Sequence, residues 1–239
     1  MKESRDQPAE RSSPGSGRHS ETPLLVEDVL LLLFQPRSGA IAGESTLFYV
    51  LGGAVLAELA MRDMAQLAGD SSGRVTSRGT TPPREDLLRS AWDYISTKPR
   101  SPQTVIAAVG PDLRNQVVET LVSKGHLRRT RKKLLGIVPT ESIALGSARR
   151  EELLSRVRAV LVDEEAPDEM TAAVTALLSA STQLHQLDPD IPWTSRVIQR
   201  AREFEVGDQG AAAAGWSVNH STLAVITALA ATAPARYGG

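Results

Sequence analysis

A mainly α-helical single domain with one or two short β-hairpins is the fold class this sequence predicts, on three observations. Aromatic residues make up only 4% of the chain, so the core must be built from Leu, Val and Ala, which suit helices better than sheets. Apolar residues recur at helical spacing along most of its length. Cap and stop signals sit where that spacing begins and ends: Thr22-Pro23, Thr81-Pro82 and Ser101-Pro102 at starts, Gly125 at a stop.

The chain has 239 residues, is 41% hydrophobic and 23% charged, and carries a formal net charge of −1. That is an ordinary globular composition. It gives no overall pull toward nucleic acid or an anionic surface, so any such attraction must be local. There is no cysteine, which excludes disulfides, a thiolate zinc site and a cysteine nucleophile. The first residues contain no apolar signal core, and the expected location is cytoplasmic. Residues 1–22 read as a disordered polar tail and 23–239 as one helical domain.

Taken in order, the domain opens with a helix over Leu24 to Phe34, halted by Pro36. Arg37 to Gly43 is a turn or short extended piece. Glu44 to Gln66 is an apolar helix with Gly52 and Gly53 at its middle. Each glycine costs about 1 kcal/mol there against alanine, which points to another backbone, or else a ligand, held close against them. The uncharged part of this helix, Ser45 to Ala57, is too short to cross a bilayer. Gly69 to Thr80 is a polar hairpin or irregular loop. A helix follows from Thr81-Pro82 to Ile95, with Leu87, Leu88 and Ala91 inward. Ser101-Pro102 opens a short helix to Val109, Gly110-Pro111 breaks it, and Asp112 to Lys124 is a separate helix ended by Gly125. His126 to Pro139 reads as a basic hairpin. Helices then cover Ala148 to Val162, capped by Ser147, then Met170 to Leu187 and Trp193 to Glu203. The uncharged run from Gln209 to Ala235 is long enough to span a membrane. Its alanine content and the polar cluster Ser217, Asn219, His220 and Ser221 favour a buried core helix.

No catalytic constellation is visible. The histidines, His19, His126, His185 and His220, have no metal-ligand spacing, and there is neither a nucleophile elbow nor a phosphate loop. No metal or cofactor is expected, and the expectation is a non-enzymatic protein. The marked charge asymmetry is the window from Thr120 to Thr140, with Lys124, Arg128, Arg129, Arg131, Lys132 and Lys133 and no acidic residue. Such a cluster suits an anionic leaflet, at about 1 kcal/mol per basic group. It equally suits a solvated edge that resists strand pairing. The order helix, break, helix, basic hairpin over 102–139 also matches a winged-helix nucleic-acid binder.

Three stretches, LLVEDVLLLLF, the glycine helix ending AELAMR, and LRNQVVETLVSKGHL running into the basic hairpin, together resemble the Golgi phosphoprotein 3 family, in the form found in actinobacteria. The likeness runs from Leu24 to the C-terminus. It implies a helical single domain that binds anionic phospholipid headgroups, phosphatidylinositol 4-phosphate in the eukaryotic members. It also implies an adaptor for membrane-protein clients, held peripherally on the inner face of a membrane. Of the headgroup-pocket positions, the resemblance carries over Arg114. The places of the family's tryptophan and of two further arginines hold Gly43, Gly52 and Pro111. The lipid-binding set expected here is therefore Arg114, Arg128, Arg129, Arg131, Lys132 and Lys133.

Overall fold

The computed structural model describes residues 22–68, 73–134 and 138–206; between 131 and 141 it describes the backbone pairing alone. The tail over 1–21 and the expected helix Ala211 to Ala231 lie outside the described residues. Seven α-helices and three two-stranded antiparallel hairpins make up the described part, one hairpin more than expected.

Every residue of α1, Leu25–Leu33, is buried, its two acids included. This helix starts two residues later than Thr22-Pro23 suggested. Its first backbone groups are met from the tertiary structure: the Leu25 N–H donates to the Glu58 carboxylate and the Leu24 N–H to Glu27 at 3.5 Å. Phe34–Gln35 (β1) and Ala40–Ile41 (β2) then pair as a tight hairpin. The glycine helix is α2, Leu47–Met61, and is buried on all sides from Val50 to Ala60. A helix apolar all round belongs inside a core, and α2 packs against α1, a third helix, a fourth and a sixth.

Helix α2 stops at Met61, before the expected Gln66. Asp63 turns left-handed at φ 58°, with Met64 N–H bonded to the Leu59 carbonyl at 2.8 Å and Asp63 N–H to that of Ala60 at 3.0 Å. This is a Schellman stop made without glycine. Ala65–Leu67 (β3) pairs with Val75–Ser77 (β4). Thr81-Pro82 opens no helix. Pro83 keeps the residue before it extended, and α3 begins only at Asp86 and runs to Ser96.

The largest correction concerns Gly110-Pro111. Residues Pro102–Ser123 form one helix, α4, with Pro111 inside it. An interior proline costs roughly 3 kcal/mol, yet α4 is packed closely against α2 up to the residue before it. A Cβ on Gly52 would stand 3.2 Å from Cα of Ile106, and one on Gly110 only 2.5 Å from the Phe48 carbonyl oxygen. Each helix thus contributes a glycine where the other's backbone comes closest. Ala107, whose carbonyl loses its donor to Pro111, is exposed. Ser101 caps α4 as the sequence predicts, its Oγ accepting from Thr104 N–H at 3.2 Å.

Gly125, at φ +76°, ends α4 in a second Schellman pair, Gly125 N–H to Val122 and His126 N–H to Leu121, 3.0 and 2.9 Å. The hairpin Leu127–Leu134 (β5) and Val138–Leu145 (β6) follows, longer than expected. Helix α5 is Arg149–Leu161. Helix α6, Glu169–Ala180, is shorter than the expected Met170 to Leu187. Thr182, at φ 60°, closes it, and Leu184–Leu187 form a separate 3-10 turn. Helix α7 is Ser195–Val206.

Candidate functional site

The basic hairpin is anchored by α1. Glu27 and Asp28 are neighbours in its first turn, each 1% exposed. Lys124 donates to Glu27 at 2.7 Å, and Arg149 clamps Asp28 with bonds of 2.7 and 2.8 Å to its two oxygens. Lys124 immediately precedes the hairpin and Arg149 follows it. Two adjacent carboxylates therefore hold both ends of one excursion of chain. The base is closed further by Gly146 N–H to the His126 carbonyl and by a bond between His126 Nδ1 and Ser147 Oγ, both 2.9 Å. A third buried acid, Glu58, takes Leu25 N–H and Arg62 at 2.7 Å. Burial pushes the Glu58 and Asp28 carboxyls up from the ordinary carboxylate range, against the opposing pull of Leu25 N–H and Arg62 on Glu58 and of Arg149 on Asp28.

On the hairpin itself, Arg128 and Arg129 are exposed. Arg128 Nε donates to the Leu145 carbonyl at 3.0 Å, and Arg129 pairs with Glu119 of α4. The register sets Arg131 opposite Glu141, Lys132 opposite Thr140 and Lys133 opposite Pro139. Strand alternation sets Arg128 on the face of Thr130 and Arg129 on the other. The expectation that Lys124 belongs to this surface field is corrected, because its ammonium is directed inward to Glu27.

Arg114 stands apart from the hairpin. It lies ten residues before Lys124, about 15 Å along α4, with its side chain 40% exposed and Nε 2.5 Å from a Glu44 carboxylate oxygen at the start of α2. Gly43, at φ +68°, is covered by the Gln183 side chain, which donates from Nε2 to Thr46 Oγ1 at 2.8 Å. Gly52 is sealed between α2 and α4. Pro111 is exposed one turn before Arg114. The structure thus gathers Arg114, Glu44 and Pro111 at one end of α2 and leaves Gly52 in the core. Glu44 and Glu119, the acids that hold Arg114 and Arg129, were not recognisable as partners from sequence spacing.

A half-open groove of about 310 Å³ lies between α3 and α4, lined by Tyr94, Ala108, Asp112 and Gln116 among others. Its charged residue is an acid, so it does not complement an anion. Among the described residues no group of three or more His, Asp or Glu could hold a metal ion, and no helix is long and apolar enough to cross a membrane. The one-helix form of α4 also removes the break at Gly110-Pro111 on which the winged-helix reading of 102–139 was built.

The sequence matches the family model for Golgi phosphoprotein 3 (GPP34) over residues 25–221. The chain belongs to the Golgi phosphoprotein 3 family. The match begins at the first residue of α1 and runs through α7, so it takes in both the α1 anchor and the hairpin of this GPP34 domain. A search of curated proteins finds no match.

Proposed function

We propose that this GPP34 protein is a non-enzymatic, peripheral membrane protein that binds anionic phospholipid headgroups, alone or as an adaptor for a membrane-protein client. The observation that carries the reading is the hairpin. On a chain of net charge −1, it presents exposed Arg128 and Arg129 on a strand that continues through Arg131, Lys132 and Lys133. Arg114 offers a second cationic contact. Gly43 lies under Gln183 and Gly52 lies in the core, so neither can supply the extra contacts that the eukaryotic pocket uses. Strict selectivity for phosphatidylinositol 4-phosphate is therefore not expected.

Co-sedimentation of the full chain with vesicles tests this. Binding should require an anionic lipid, occur with phosphatidylserine as well as with phosphatidylinositol 4-phosphate, and fall steeply with salt, because exposed charges are screened beyond about 8 Å at physiological ionic strength. Changing Arg128, Arg129, Arg131 and Lys132 to Ser should remove most binding and leave the thermal midpoint close to the native one. Arg114→Ala should weaken headgroup preference more than bulk binding. Salt-resistant binding to phosphatidylinositol 4-phosphate alone would contradict the selectivity expected here. Binding to duplex DNA but not to anionic vesicles would replace the proposal with nucleic-acid binding through the same strand.

A further inference from the structure

Among the described residues, two large hydrophobic side chains are exposed, Phe48 at 41% and Trp193 at 46%. Trp193 leans edge-on against His185, ring centroids 6.0 Å apart, and lies 48 positions beyond the end of the basic hairpin at Leu145. Phe48 is placed differently. It lies in the first turn of α2, directly over Gly110 of α4: a Cβ on Gly110 would stand 3.3 Å from the Phe48 ring. Gly110 and Arg114 are four residues apart on α4 and share a face, with about 5–6 Å between such positions. Glu44, four residues before Phe48, reaches the same arginine. Ala107 and Pro111, on the adjoining stripe of α4, are exposed as well. The result is a small apolar surface (Phe48, Ala107, Pro111) with one guanidinium at its border.

Gly110 makes this arrangement by letting the α2 backbone settle on α4. Any side chain at 110 would collide with the Phe48 carbonyl and lift the ring away. An exposed phenyl ring is stabilised when it leaves water for an apolar medium. A guanidinium beside it complements phosphate. These two requirements are met together at the boundary between headgroups and acyl chains, where amphipathic groups seat themselves with the ring below and the charge above.

We propose that Phe48 is the apolar anchor of the membrane contact, entering the acyl boundary of an anionic bilayer while Arg114 exchanges Glu44 for a lipid phosphate. The inference rests on the membrane reading given above and adds the depth and the orientation of binding. The basic hairpin attracts the bilayer from a distance, and Phe48 holds the protein to it.

The absence of native cysteine makes the test clean. Phe48→Cys and, separately, Trp193→Cys are labelled with nitrobenzoxadiazole and mixed with phosphatidylcholine vesicles with or without phosphatidylserine. On the anionic vesicles the label at 48 should shift to the blue and be quenched by lipids bearing a doxyl group on the acyl chain. The label at 193 should do neither. Phe48→Ala should weaken vesicle binding about tenfold. Phe48→Leu, which keeps apolar contact over Gly110, should retain most of it. Co-sedimentation with the label at 48 still in water would overturn this inference and leave the hairpin proposal standing. No binding of the native protein to any anionic vesicle would overturn both.

Discussion

The arginines and lysines of this protein are paired in two different settings. Around α1, Lys124 and Arg149 meet carboxylates that are 1% exposed, with their own side chains 20% and 17% exposed. At the surface, Arg114 and Arg129 meet Glu44 and Glu119 with both partners about half exposed, 40% and 55% in one pair, 49% and 60% in the other. The chemistry is the same and the consequence is opposite. Removing one partner of a buried pair leaves an unsatisfied charge in the core. An exposed pair is worth about 0–1 kcal/mol, so a phosphate can replace its carboxylate. The first setting holds the hairpin in place, and the second leaves its cations exchangeable.

The contrast can be broken most strongly at its buried end. Asp28→Ala strips Arg149 of its three hydrogen bonds to that carboxylate and should destabilise by about 3–5 kcal/mol, read as a fall in the urea midpoint. A loss below about 1 kcal/mol would mean that Arg149 reaches water and that the α1 anchor is no stronger than a surface pair.

A smaller effect is expected at the exposed end. Glu44→Gln keeps the shape of the residue and removes its charge. Stability should hardly change, while affinity for phosphatidylserine vesicles should rise about two- to fivefold, the factor that corresponds to releasing a surface pair. Unchanged affinity alongside weaker binding by Arg114→Ala would show that Glu44 does not compete for the arginine.

The smallest effect is on pH dependence. Burial raises the Glu58 carboxyl above its unfolded value, so the folded state holds that proton more tightly. The resulting stability is fully present below the unfolded value, about 4.3, and is lost as pH rises through the folded one. The thermal midpoint of the native protein minus that of Glu58→Gln should therefore grow more positive from pH 7 to pH 5. A slope of the opposite sign would mean that Arg62 and the Leu25 N–H outweigh burial at this site.

What the sequence determined by itself was what acts within a turn of the chain. Helical spacing placed the helices, Ser101 capped the helix it precedes, and Gly125 ended it, because caps and stops are bonds between residues three to five apart. The basic run was equally plain, since charge is carried by composition. Only the tertiary structure decided the rest. Gly110-Pro111 reads as a break in sequence and is helix in the protein, because packing on Gly52 and Phe48 outweighs the missing hydrogen bond. Thr182 stops a helix at φ 60°, a conformation that a β-branched side chain does not advertise. The partners of the basic residues could not be seen either: Glu27 and Lys124 are 97 positions apart and Asp28 and Arg149 are 121. No local pattern encodes which acid will be buried beside which base. That is settled when α1 enters the core and its two carboxylates must find cations there, since an unpaired buried charge costs more than the fold can absorb.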